Sequence, residues 1–282
     1  MKNKLINLSG LLISILPILL ITGPLLPEIA IFLLLIFFLV ISNKNEKKEF
    51  FSNIYFKFFI LFWILLVTIS LINQNYNSII KSFFYIRFGL FFISVSFFLY
   101  KNDKIYKKIF LSLSLTILFL FIDSTYQFFN VKNLFGFIAI DHPRVSSIFL
   151  DEYILGSFTV RFSPLMLACY FYCYHDNSKM KYLTTILFFL SFIIIFISGE
   201  RMALLYEFMV ILFLIIFVIK NKKFKVYSFL SVFCILSVTL IFNQNLKQRI
   251  ITQTLDEMGF TTNKTYQNEF SVEKPIFKDF YL

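Results

Sequence analysis

Five ionisable side chains lie inside long apolar stretches of the sequence, where a charge is rare and costly. They are Arg87, Asp123, Arg161, Arg201 and Glu207. A charge at the centre of a bilayer costs about 2.5–3.5 kcal/mol on insertion scales, so such residues usually face a bundle interior or a wet cavity. An arginine guanidinium is always charged and binds phosphate through paired hydrogen bonds. The excess of arginine over acid therefore predicts a cavity that holds an anion, with a phosphate-bearing ligand as the leading hypothesis.

Helices must position these charges, because the apolar residues occur in runs long enough to cross a membrane. Of the 282 residues, 59% are hydrophobic and 42 are Phe. A spanning helix needs about 20 apolar residues, whereas the strands of membrane barrels need only about 10. About nine runs reach the helical length: 5–22, 26–43, 54–73, 79–100, 109–129, 153–174, 180–198, 201–220 and 224–243. We therefore predict an all-α, polytopic transmembrane helical bundle of about nine spans.

The cations of the chain alternate between the gaps that separate these runs. They concentrate before the first run and in every second gap after it, as at Lys2, Lys47, Lys104, Lys179 and Lys222. The positive-inside rule then places the N-terminus in the cytoplasm and the C-terminal segment outside. The formal net charge of +11 follows from this topology, so we expect membrane lipids, and not nucleic acid, as the partner of the basic residues.

This topology puts all five buried charges in the outer half of the membrane. Lys57, in the inner half, is close enough to the cytoplasmic end for its amine to reach the interface. A transporter carries its polar site near the midplane and offers polar lining to both sides. The one-sided cluster therefore predicts a site that opens only outward. The outward-facing N-termini of the helices that begin near residues 79, 153 and 201 favour an anion there.

Local pairing offers a simpler explanation for the same charges. Asp123 could neutralise Arg87 or Arg161, Arg201 could pair with Glu200 or with lipid head groups, and Glu207 could be a helix-packing partner. Asp151 and Glu152 lie where the run 153–174 begins, and acids commonly cap a helix at this position.

Two longer outer segments organise the rest of the chain. We expect residues 1–243 to form the bundle, with an outer loop over 130–152, and residues 244–282 to be the start of a truncated periplasmic loop. His142 lies in the first segment and could act as a base, although a lone loop histidine more often has no chemical role. His175 lies in a cytoplasmic gap and is interpreted as a solvated loop residue.

The remaining residues predict neither a metal nor a cofactor. Cys169, Cys173 and Cys234 lie inside apolar runs, where we expect them to be small packing residues. On a helix the Cβ atoms of the first two would be about 5–6 Å apart, more than a disulfide allows. The sequence contains no Ser-His-Asp spacing, glycine-rich phosphate loop or metal-ligand cluster.

Two short motifs lie at the predicted outer face. The first is Ser198-Gly199-Glu200-Arg201-Met202-Ala203. The second runs from Arg144 through Phe149-Leu150-Asp151-Glu152 and Gly156-Ser157 to Arg161 and Pro164. They resemble the Ser/Thr-Gly-x-Arg-x-Ala and Arg…Phe-x-Asp-Glu…Gly-Ser…Arg…Pro patterns of the O-antigen ligase and O-antigen polymerase family. The stretches Asp123…Tyr126-Gln127 and Asn133-Leu134-Phe135-Gly136 are in keeping with this resemblance.

The resemblance implies glycosyl transfer at the periplasmic face of the bacterial inner membrane. The donor would be an undecaprenyl-pyrophosphate-linked glycan, and the acceptor would be lipid A–core in ligation or a lipid-linked glycan in polymerisation. Pyrophosphate is itself a leaving group, so no cofactor is implied. By match to the motifs, Arg201 is the first candidate for substrate binding and is followed by Arg161 and Arg144. Arg87 rests on its depth, and Asp151 and Glu152 complete the candidate set.

The family continues into a large periplasmic loop that carries a catalytic histidine. We expect that histidine beyond residue 282, so the catalytic residue is unknown and this chain alone is expected to be inactive. Two other functions stay open. A lipid-linked glycan flippase or transporter predicts polar lining in the inner half as well. A non-catalytic membrane subunit predicts that Arg201→Ala leaves the surface glycan unchanged.

Overall fold

The computed structural model describes residues 2–139, 144–174 and 176–218, and these residues are mostly α-helical. The helices are α1 (Lys2–Leu19), α2 (Leu25–Ile41), α3 (Lys44–Phe51), α4 (Ile54–Ile72), α5 (Tyr76–Phe84), α6 (Ile86–Lys101), α7 (Lys104–Asn130), α8 (Leu155–Tyr174), α9 (Ser178–Ser198) and α10 (Arg201–Phe213). A 3₁₀ turn covers Ser147–Phe149, and a π-helical turn covers Leu214–Val218. In this part of the chain, β pairing is limited to an isolated antiparallel bridge between Lys132 and Ile138.

Five helical stretches are long and apolar enough to cross a membrane, judged by length and composition. They are Lys2–Leu19, Ile54–Ile72, Tyr76–Lys101, Lys104–Asn130 and Ser178–Ser198. The apolar helix α2 is shorter, with 17 residues. The predicted all-helical fold is thus confirmed for the described residues, with five helical stretches that could cross a membrane.

The predicted runs can be compared with the helices one by one. The first seven fall on helices, with ends that differ by a few residues, and the eighth is helical as far as Val218. The ninth run, 224–243, and the predicted periplasmic segment 244–282 lie outside the described residues. The short polar helix α3 was not predicted, because it is a single amphipathic stretch of 8 residues.

The chain forms two compact units, Met1–Ser198 and Gly199–Leu282. In the first unit, α7 is the central helix and packs against α1, α8 and α9. Its side chains Leu113, Ile117 and Leu120 are fully buried. By contrast, Phe56 is the only buried side chain of α4, and most of the large apolar residues of this helix are exposed.

The predicted fourth span is broken at Tyr85 into α5 and α6. The indole N–H of Trp63 on α4 lies 3.0 Å from the carbonyl oxygen of Ser82 and 3.2 Å from that of Phe83. The Ser82 carbonyl also accepts from the backbone N–H of Tyr85 at 3.2 Å. The one tryptophan of the chain therefore adds a side-chain donor from a neighbouring helix at the point where the span is interrupted.

Two ion pairs fix the relative direction of α2 and α6. Glu28 in the first turn of α2 lies 2.8 Å from Arg87 at the start of α6. Glu46, just after α2, pairs with Lys101 at the end of α6. The two helices therefore run parallel, as expected because α4 crosses in the opposite direction between them. The Lys101 ammonium, followed by the backbone N–H of Asn43, holds the pKa of the Glu46 carboxyl below its ordinary value.

Close packing of α4 on α6 depends on a glycine. A Cβ atom added at Gly89 would lie only 2.3 Å from the ring of Phe59. Small residues commonly permit such close approach between membrane helices. Gly89 therefore allows the aromatic face of α4 to seat against α6.

Candidate functional site

The segment that follows α7 is attached to that helix through a buried carboxylate. Asp123 is fully buried near the end of α7. One of its oxygens accepts a hydrogen bond from the backbone N–H of Leu134 at 2.9 Å, and the other accepts one from the hydroxyl of Ser147. Asp123 therefore holds two parts of the following loop, which are 13 residues apart in sequence, against one point on the helix.

Two amides complete this polar network. The side-chain oxygen of Gln127, one turn after Asp123, accepts from the backbone N–H of Ser147 at 2.6 Å. The amide of Asn133 donates to the Ser147 carbonyl at 3.1 Å, and its oxygen accepts from the backbone N–H groups of Phe135 and Phe137. We refer to Asp123, Gln127, Asn133 and Ser147 as the Asp123 network. All four side chains are buried.

The Asp123 network imposes an uncommon backbone conformation at Ser147. Its φ is 56°, in the left-handed region that a non-glycine residue adopts only at a cost. The three hydrogen bonds that Ser147 makes to Asp123, Gln127 and Asn133 offset this cost. Ser147 lies three residues after Arg144, so the network fixes the backbone that carries this arginine.

Arg144 is held on two sides. Its Nε donates to the carbonyl of Ser198 at the end of α9, at 3.2 Å. Its guanidinium carbon lies 3.8 Å from the centre of the Tyr153 ring, a favourable cation–π arrangement. The side chain is half-buried. This contact joins the two predicted motifs directly, because Arg144 opens one of them and Ser198 opens the other.

The motif Ser198-Gly199-Glu200-Arg201 forms the end of α9 and the beginning of α10. Gly199 has φ +68°, a conformation that terminates helices and that glycine adopts most readily. Glu200 is the N-cap residue of α10, and its carbonyl accepts from the backbone N–H of Leu204 at 3.1 Å. The left-handed backbone at this position therefore favours glycine in the motif.

Arg201 and Glu207 belong to the second unit of the chain. Arg201 is the first residue of α10 and is half-buried. Glu207 is fully buried and lies on the same face of α10 as Ala203 and Ile211. Each of the two charged residues makes an interaction within the protein.

Three further predicted site residues, two in the outer loop and one on α8, are exposed. Asp151 and Glu152 lie three to four residues before Leu155, the first residue of α8. Neither occupies the capping position, which is Ile154, so helix capping does not explain them. Arg161 lies about 9 Å along α8 and is exposed. The described residues provide no ion-pair partner for it.

The alternative in which Asp123 neutralises Arg87 or Arg161 does not hold among the described residues. Asp123 instead binds a backbone N–H and a hydroxyl, and Arg87 pairs with Glu28. The physical reason is that a loop folded over the end of α7 offers donors closer than any arginine. Arg87 also lies at the start of a separate helix and not within a continuous one, and its side chain is 46% exposed.

Sequence reasoning did not assign a structural role to Gln127, Asn133 or Ser147. The available indication was their polarity at the edge of an apolar run, within the stretches already associated with the family resemblance. His142, His175 and Cys234 lie outside the described residues. Within the described ranges, no group of three or more His, Cys, Asp or Glu side chains could hold a metal ion.

Comparison of the chain with models of protein families, with curated proteins and with solved structures gave no significant match.

Proposed function

We propose that this protein is a membrane glycosyltransferase of surface-polysaccharide assembly, which binds an undecaprenyl-pyrophosphate-linked glycan for ligation to lipid A–core or for polymerisation. The observation that carries the proposal is the contact of Arg144 with the carbonyl of Ser198. Arg144 opens one of the motifs that resemble the O-antigen ligase and polymerase family, and Ser198 opens the other. The two residues are 54 positions apart in the sequence and in contact within the first unit.

The proposed setting is the bacterial inner membrane. The apolar runs favour about nine spans. The distribution of lysines favours the N-terminus in the cytoplasm, the loop 130–152 outside and the segment 244–282 in the periplasm. In this orientation the C-terminal end of α7, the start of α8 and the Ser198 end of α9 all belong to the periplasmic side, where a lipid-linked glycan is presented after its transfer across the membrane.

Arginines supply the chemistry that a pyrophosphate leaving group needs. Negative charge accumulates on the pyrophosphate as the bond to the sugar breaks, and donors fixed in advance stabilise that charge most effectively. The guanidinium of Arg144 is oriented by the Ser198 carbonyl and by the Tyr153 ring. The family resemblance assigns the same task to Arg201 and Arg161. The exposed carboxylates of Asp151 and Glu152 are suited to accept hydrogen bonds from sugar hydroxyls.

Arginine substitutions in cells that use this protein test the proposal. We expect Arg201→Ala and Arg144→Ala to remove most of the polymerised or ligated glycan from a polyacrylamide gel of surface polysaccharide, while the amount of protein in the membrane is retained. Lys81→Ala is the matched control, because Lys81 is an exposed cation at the same predicted face. An unchanged glycan ladder in both arginine variants would exclude donor binding by these residues and would favour a non-catalytic subunit.

One observation favours the alternative of a flippase. The hydroxyl oxygens of Ser112 and Thr116, one turn apart on α7, are buried and have no hydrogen-bond partner among the described residues. They provide polarity deeper in the bundle than the arginines. A flippase predicts that the purified protein in liposomes moves a fluorescent lipid-linked glycan between leaflets, whereas the proposed transferase does not.

A further inference from the structure

The segment Val131–Ala139, which we call the hairpin, exposes apolar side chains although it lies outside any helix. Leu134, Phe135, Phe137 and Ile138 are each 44–60% exposed. Connecting loops of proteins in water are usually rich in small polar residues. A cluster of four exposed apolar side chains at one loop tip therefore indicates contact with an apolar phase or an apolar partner.

The backbone of the hairpin is satisfied by the protein itself. Seven of its nine N–H groups donate to protein oxygens, namely those of Val131, Asn133, Leu134, Phe135, Gly136, Phe137 and Ala139. Two side chains accept three of these bonds, because Asp123 binds one N–H group and Asn133 binds two. Loops in water can leave such groups to the solvent, whereas backbone groups in lipid must be paired internally.

The position of α7 brings the hairpin to the membrane boundary. The helix begins with a lysine cluster that ends at Lys108 and continues to Asn130. A helix that leaves one interface at Lys108 crosses about 30 Å of hydrocarbon in about 20 residues, near Phe128. The hairpin begins three residues later, so the covalent chain places it at the opposite interface.

We propose that the hairpin is a lipid anchor, which inserts Leu134, Phe135, Phe137 and Ile138 into the acyl chains at the edge of the leaflet reached by the end of α7. The exposed Lys132 then lies among the head groups. Asp123 and Asn133 make the insertion possible, because they accept hydrogen bonds from backbone N–H groups that acyl chains could not bind. The proposal does not depend on glycosyl transfer or on which leaflet this is.

Tryptophan fluorescence in bilayers tests the anchor. Phe135→Trp is introduced into a Trp63→Phe protein, which otherwise contains no tryptophan, and the protein is placed in phosphatidylcholine nanodiscs. Phe62→Trp on the exposed surface of α4 is the lipid reference, and Lys132→Trp is the matched control within the hairpin. We expect lipids brominated on their acyl chains to quench the tryptophan at position 135 nearly as strongly as that at position 62. Quenching at position 132 is expected to be about twofold weaker.

Two results would overturn the anchor. Quenching at position 135 by aqueous iodide and not by brominated lipid would place the hairpin in water. Protection from both quenchers would mean that protein covers it. Because Trp63→Phe removes the donor at the α5–α6 break, the unaltered chain with p-benzoylphenylalanine at position 135 provides a second measurement. Photocrosslinking to phospholipid is expected, and no lipid adduct would count against the anchor.

Discussion

Two acids, Asp123 on α7 and Glu28 on α2, lie in very different surroundings. Asp123 is fully buried and binds a backbone N–H and a hydroxyl. Glu28 has a side chain that is 39% exposed and forms an ion pair with Arg87. A buried carboxylate is kept in place by every bond that it accepts, whereas an exposed pair exchanges readily with water and salt. Two members of the predicted charge cluster therefore have separate roles, since Asp123 fastens a loop to α7 and Arg87 forms an exposed ion pair.

The largest effect is expected from Asp123→Ala. The substitution leaves the Leu134 N–H and the Ser147 hydroxyl without their acceptor, and each unsatisfied buried group costs about 1–3 kcal/mol. We predict a loss of about 2–5 kcal/mol in the free energy of unfolding, read as a clearly lower melting temperature in detergent. Asp123→Asn should recover part of the loss, because its amide retains one acceptor. Asp151→Ala is the control at an exposed acid, and a similar melting temperature for all three variants would contradict the assignment.

A smaller effect is expected where the ion pair of α2 and α6 is broken. Exposed pairs contribute about 0–1 kcal/mol, so Glu28→Ala and Arg87→Ala should each change stability only slightly. The double variant should be only slightly less stable than either single variant.

The same variants also separate the two interpretations of Arg87. If Arg87 binds the donor, Arg87→Ala reduces the surface glycan while Glu28→Ala does not. If Arg87 only pairs with Glu28, the two variants give the same glycan ladder.

The smallest effect concerns pH. The pKa of Glu46 is lowered in the folded protein, chiefly by its hydrogen bond with Lys101. A carboxyl with a lowered pKa stabilises the fold above its unfolded pKa and loses this contribution as the pH falls through the folded value. When the pH is lowered from neutral to acidic, the melting temperature of Lys101→Met should therefore fall slightly less than that of the unaltered protein. An identical pH dependence in both would show that the pair contributes nothing measurable.

The helices could be predicted from the sequence because spanning length is a local property. The run predicted at 54–73 corresponds to Ile54–Ile72, and that at 180–198 corresponds to Ser178–Ser198. The break at Tyr85 could not be predicted in this way, since no proline or glycine marks it at residues 82–88. Hydropathy reports how long an apolar run is, but it does not report where the helix within that run is interrupted.

The candidate site was only partly predictable for a related reason. Motif and topology predict that Arg144 and Ser198 lie at the outer face. The two residues are in contact, whereas the side of the membrane stays a prediction. The partners of Asp123 were missed because a backbone N–H such as that of Leu134 has no signature in the sequence. A charge in an apolar run therefore shows where polarity is needed, but not whether it serves a ligand or the fold.

We propose that Arg144 and Arg201 each bind the pyrophosphate of a lipid-linked donor. Binding of undecaprenyl pyrophosphate to the purified protein in nanodiscs tests this proposal, with undecaprenyl monophosphate as the competing ligand and Lys81→Ala as the control at an exposed cation. We expect Arg144→Ala and Arg201→Ala each to weaken pyrophosphate binding by about tenfold or more, as the loss of a charged hydrogen-bond pair should. Equal affinity in the unaltered protein and in both arginine variants would contradict it.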